Sequence, residues 1–256
     1  MALTALGIPP REVDEVRRRW QTVVALSVLP FAVLGPAAWG LSRLFHGPIR
    51  DGTLALGLAP TEVACAGLVA LALGDAALAL AVVAGSLVVS ALAGPLAVSA
   101  LGGAHVSGGA LLGTFALVVL APLAAGLALR ATLPRLEQVE GEVAGLASLV
   151  LAGLVYAALS GSDRDRLGGA LLAGAAFVAA GAAVAALWPA GSVRVTAGLT
   201  IGMRDFAVAA ALAGQAFGRA AEAVPAAYGV LMLLAGSATT TVIRRRANEQ
   251  IGPNVS

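Results

Sequence analysis

Three charged side chains stand inside long apolar runs: Glu62, Arg204 and Asp205. A charge at the centre of a membrane helix costs about 2.5–3.5 kcal/mol on insertion scales. Three of them therefore require pairing, water or a role. Two carboxylates around one guanidinium can share a proton, which is the chemistry of a proton relay. Arg204 can instead hold a ligand carboxylate through two parallel hydrogen bonds. A third reading is a static buried ion pair that locks two helices together. Each charged site follows a helix breaker. Glu62 closes Leu58-Ala59-Pro60-Thr61-Glu62, where Pro60 removes a backbone donor. Arg204 and Asp205 follow a flexible glycine in Thr200-Ile201-Gly202-Met203-Arg204-Asp205-Phe206. The expectation is that the three charges meet where two broken helices cross. Thr61 and Thr200 flank the breaks and offer hydroxyls to a cavity or to local caps. Met203 and Cys65 border the same site, Cys65 reading chiefly as a small packing residue.

Other chemistry-bearing residues are sparse. Cys65 is the sole cysteine, so no intramolecular disulfide or multi-cysteine metal site forms. His46 and His105 lie in separate loops, read as solvated, and make no metal pattern. No nucleophile–base pair is visible, so neither catalytic residues nor a cofactor are expected. Asp75 reads as the N-cap of the helix that follows it. Asp163-Arg164-Asp165-Arg166 reads as a short solvated loop. Thr239, Thr240 and Thr241 read as bonding to carbonyls of their own helix.

These residues sit in a chain of 256 residues that is 59% hydrophobic and 12% charged. Soluble domains are about 25% charged, so the composition argues against a water-soluble fold and the lipid bilayer is the expected partner. Sixteen basic residues, all Arg, against fourteen acids leave a net charge of +2, too small and dispersed for nucleic-acid binding. Gly reaches 32 residues, and such small residues let helices approach closely in lipid.

Eight apolar runs are long enough to span: Thr22–Leu44, Thr53–Leu73, Ala76–Ala100, Gly109–Leu129, Val143–Ser160, Leu167–Trp188, Val195–Phe217 and Val224–Ile243. They lack the period-two alternation of barrel strands, so helices are expected. The charged opening segment does not read as a signal peptide. With eight spans both termini share a side, which carries ten Arg against five on the other. Both termini are then cytoplasmic, and Arg244-Arg245-Arg246 reads as a topological anchor. The third run follows the broken second after a very short turn, and the sixth to eighth runs repeat the plan of the first three. Corresponding spans lie five apart, an odd number, so the second copy is inverted across the membrane. Paired interruptions in two halves point to a transporter binding site.

Pro60-Thr61-Glu62, leading through Cys65 to Gly74-Asp75-Ala76-Ala77, resembles the crossover segment of the bile acid:sodium symporter family. Gly202-Met203-Arg204-Asp205, running into Ala207–Ala213, resembles that family's second broken helix. The resemblance implies inverted five-helix repeats, a core containing both broken helices, and a panel beside it. This chain then lacks the first two helices. Its core is 21–101 and 167–243, its partial panel 109–160, with cytoplasmic segments at 1–20 and 244–256. At the positions matching the family's sodium ligands, Cys65-Ala66, Ala79, Val83, Thr200, Arg204 and Asp205 stand here. Alanine and valine supply no oxygen for a hard cation, so sodium coupling is poorly supported and a proton is the other coupling ion.

The expected protein is thus an all-α polytopic membrane protein with eight transmembrane helices and two crossed discontinuous helices in an inverted repeat. Its expected work is secondary active transport of a small organic anion across a bacterial cytoplasmic membrane. A cation/proton antiporter and a degenerate, non-transporting membrane protein are the alternatives.

Overall fold

The computed structural model describes residues 18–102, 164–189 and 193–251, with scattered positions between 109 and 160. Spans four and five, the panel 109–160, His105 and Asp163 fall outside the described residues apart from those scattered positions. The regular elements are α1 (Trp20–Ser42), α2 (Gly47–Gly57), α3 (Ala64–Leu71), α4 (Ala76–Gly102), α5 (Arg164–Ala186), α6 (Arg194–Gly202), α7 (Phe206–Phe217), a 3-10 turn (Arg219–Glu222) and α8 (Ala223–Ile251).

Among the described residues, four stretches are long and apolar enough to cross a membrane: Trp20–Ser42, Ala76–Gly94, Arg166–Ala186 and Arg219–Arg246. The others come in short pairs. α2 and α3 have 11 and 8 residues, α6 and α7 have 9 and 12. At about 1.5 Å per residue, no such half crosses ~30 Å of hydrocarbon alone. Expected spans two and seven are therefore each divided, at Pro60 and just after Gly202. The first of these begins at Gly47 rather than Thr53, because Pro48 presets φ for a helical first turn. α8 runs past Ile243 to Ile251, so Arg244–Arg246 project from a helix and are exposed.

Small residues set the packing. α1 buries Leu26, Pro30, Leu34 and Ala38 along one stripe. Against it, a Cβ on Gly57 would stand 3.0 Å from the Leu34 carbonyl oxygen, so only glycine lets α2 end there. Gly174 of α5 meets the Tyr228 backbone of α8 in the same way, at 3.1 Å. A Cβ on Gly181 of α5 would stand 3.2 Å from the Gly202 Cα, at the end of α6. The largest buried apolar cluster joins all of α1 to α8 around the two breaks.

Candidate functional site at the crossing of two broken helices

The breaks are extended, and they pair with each other. Thr61 and Arg204 form an antiparallel bridge. The Glu62 N–H donates to the Met203 carbonyl at 3.0 Å, and the Asp205 N–H donates to the Pro60 carbonyl at 2.7 Å. Backbone polar groups at membrane depth must find partners inside the protein, and here each broken helix supplies them for the other. That register leaves the N–H groups of Thr61 and Arg204 pointing outward. Each is met by a hydroxyl from a later helix. The Thr61 N–H donates to Ser86 Oγ of α4 at 3.0 Å, 25 residues on. The Arg204 N–H donates to the Tyr228 hydroxyl of α8 at 2.9 Å, 24 residues on. Tyr228 in turn donates to the Gly202 carbonyl at 3.0 Å. Its ring is set edge-on against Phe177 of α5, with centroids 5.5 Å apart.

Side chains complete the exchange. Thr61 Oγ1 donates to the Thr200 carbonyl at 3.2 Å. Arg204 Nη2 donates to the Ala59 carbonyl. Ser90 Oγ donates to the Leu58 carbonyl at 2.9 Å. Thr200 Oγ1 bonds within its own helix, to the carbonyls of Thr196 and Ala197.

The three intramembrane charges are thus brought to one crossing, all of them buried. They do not form a triad. Asp205 caps α7, its Oδ1 accepting from the Ala207 and Val208 N–H groups at 3.0 and 2.9 Å. Glu62 Oε1 accepts from the Ala64 N–H at the start of α3. The Arg204 guanidinium lies 4.6 Å over the Phe31 ring of α1, and its Nε and Nη1 have no hydrogen-bond partner. Among the described residues, no ion pair joins Arg204 to either carboxylate. The helix N-termini take the acids because two amides aimed at a carboxylate neutralise it without a second buried charge. Cys65 is buried and unbonded in the packed core.

A cavity of about 430 Å³ lies between α5, α6 and α8. Gly198, Gly202 and Met203 form one wall, Val178 and Met232 another, and among the described residues Arg194 is the sole charged one lining it. Because side chains alternate along an extended break, Met203 faces this cavity while Arg204 turns to α1 and α2. Among the described residues, no cluster of three potential metal ligands occurs.

Sequence reasoning missed Arg194, counted only for topology, and the hydroxyl partners Ser86, Ser90 and Tyr228. Tyr228 carried a signal: a tyrosine inside an apolar span needs a hydrogen-bond partner for its hydroxyl. Ser86 and Ser90, one turn apart on one face, carried a similar one. Asp75 caps α4, accepting from the Leu78 N–H at 2.9 Å. It also lies 3.4 Å from Arg19, and its own N–H donates to the Thr196 hydroxyl at 2.9 Å. Thr241 bonds back to the Ser237 carbonyl as expected, but the buried Thr240 hydroxyl has no partner.

Long apolar helices around two interrupted, cross-paired ones define a multi-pass membrane protein built like a solute transporter. A model of the sodium bile acid symporter family matches residues 1–168, so the chain belongs to that family, whose members are transporters rather than enzymes. The match ends before α6 and α7. A comparison with curated proteins finds no match.

Proposed function

We propose that the protein is a secondary active transporter for a small organic anion, working by alternating access in a bacterial cytoplasmic membrane with both termini cytoplasmic. The observation that carries the anion is the cavity: it is apolar, it ends on the second break, and among the described residues its one charged lining residue is Arg194. Arg194 is the first residue of α6, where the half-helix N-terminus adds positive potential. Its ≈430 Å³ falls within the range of small-ligand sites. An apolar body would lie along Gly198–Met203 with its anionic group at Arg194.

The matched treatment of the two breaks supports an eight-span arrangement in which spans one to three recur, inverted, as spans six to eight. Glu62 and Asp205 are the groups proposed to carry a coupling proton, each held against the start of the half-helix that follows it. Thr61, Thr200, Met203 and Cys65 line or support the crossing, with Pro60 and Gly202 as its hinges.

The test is uptake of labelled small organic anions by purified protein in liposomes. Uptake driven by an inward proton gradient and weakened by Arg194→Gln is the expected result. No uptake of any organic anion, together with sodium-dependent proton release, would instead establish a cation/proton antiporter.

A further inference from the structure

We propose that the Arg204 guanidinium is a tethered cation, standing at the C-terminal end of α2 where a coupling sodium ion would otherwise be held. Transport then needs no sodium at the crossing. This rests on the transport reading above and concerns what drives it.

α2 ends at mid-depth with its last carbonyls directed onward. Leu58 and Ala59 turn their N–H groups back to Ala55 and Leu56 at 3.2 and 3.3 Å. The following carbonyls are then claimed one by one. Leu58 takes Ser90, Pro60 takes the Asp205 N–H, and Ala59 takes Arg204. A half-helix C-terminus carries partial negative charge and suits a cation. At the matching end of α6 the visitor is neutral, the Thr61 hydroxyl on the Thr200 carbonyl. Only one of the two helix ends is therefore supplied with a permanent positive charge.

Among the described residues, no ion pair ties that charge to an acid. Arg204 is 0% exposed, lies on the Phe31 ring, and leaves Nε and Nη1 without partners, while Glu62 accepts from the Ala64 N–H and Asp205 caps α7. The hydroxyls at the crossing are already committed, Thr61, Ser86 and Ser90 donating to the Thr200, Val83 and Leu58 carbonyls. Ala66, Ala79 and Val83 are buried around the crossing and offer no side-chain oxygen. A sodium ion on the Ala59 carbonyl would also share one acceptor with a guanidinium, and like charges that close repel strongly in a low-dielectric interior.

The experiment compares thermal unfolding in detergent in NaCl and in choline chloride for the wild type, Arg204→Lys and Arg204→Gln. Uptake with and without a sodium gradient is measured alongside. The wild type and Arg204→Lys are expected to melt alike in both salts. Arg204→Gln keeps an N–H donor for Ala59 but loses the charge, and is expected to gain a sodium-specific rise of about 3 °C or more. A sodium-specific shift or sodium-driven uptake in the wild type overturns the proposal. So does an Arg204→Gln variant that ignores sodium as the wild type does. If Arg204→Gln does not fold, the wild type and Arg204→Lys still decide. Melting requires no cargo, so failure here is separable from failure of organic-anion uptake, which would sink the transport reading instead.

Discussion

Thr61 and Arg204 face each other across an antiparallel bridge, and each donates from its side chain to a carbonyl near the end of the other's leading half-helix. Two interrupted helices satisfy one another in this way at a depth where water is scarce. Later helices serve what is left: Ser86 and Tyr228 accept from the two outward N–H groups, and Ser90 and Tyr228 donate to the Leu58 and Gly202 carbonyls.

Tyr228 is therefore expected to be structural first. Tyr228→Phe keeps the ring against Phe177 but strips the acceptor from the Arg204 N–H and the donor from the Gly202 carbonyl. Each buried group left unsatisfied costs about 1–3 kcal/mol. Thermal unfolding in detergent should fall by several degrees, and the transport rate should fall with it. An unchanged midpoint would mean that another group satisfies the break. Ser86→Ala removes one acceptor from the Thr61 N–H and should cost less.

Asp205 has two duties that substitution can separate. As N-cap it accepts from two amides of α7, and Asp205→Ala should lose about 0.5–2 kcal/mol of stability. Asp205→Asn keeps an acceptor oxygen and should stay near wild-type stability. If Asp205 carries a coupling proton, the Asn variant retains its fold while its uptake stops responding to a proton gradient. Uptake as proton-driven as the wild type's in both Asp205→Asn and Glu62→Gln would remove the acids from coupling.

The breaks were legible in the sequence because Pro60 and Gly202 punctuate otherwise continuous apolar runs, and intramembrane charges advertise themselves by their cost. The partners of those charges were not legible. Residue type suggested that Arg204 would pair with Glu62 or Asp205, since opposite charges attract. What the types could not show is that each break exposes helix ends, whose dipoles compete for the same side chains. The acids go to N-termini and the arginine to a C-terminal carbonyl. Arg194 was read as a topological marker because its sequence position places it at a helix start, with no hint of the cavity beside it. Asp75 was legible, because capping is local and its neighbours in sequence are its partners.

Asp75 and Arg19 should differ sharply despite forming one ion pair. Their side chains are 39% and 32% exposed for Arg19 and Asp75 respectively. A pair that open contributes about 0–1 kcal/mol, so Arg19→Ala should alter unfolding little. Asp75→Ala also removes the cap on the Leu78 N–H at the start of α4, adding roughly 0.5–2 kcal/mol. Equal losses for the two variants would show that the pair, not the cap, holds this end of α4.

Gly198 gives the most selective test of the cavity. It lies one turn before Gly202 on α6 and lines the cavity wall, and a Cβ built there meets nothing within 4 Å. A larger side chain thus enters empty space rather than a packed neighbour. Gly198→Leu also replaces a poor helix former with a good one, a gain of up to about 1 kcal/mol within α6. Stability should hold or rise slightly while the volume open to cargo shrinks. Organic-anion uptake should fall at least tenfold, with protein yield and melting temperature preserved. Gly198→Ala, which fills far less, should retain most uptake. A fully active Gly198→Leu protein would place the cargo elsewhere at the crossing, because that side chain cannot share the wall with a bound molecule.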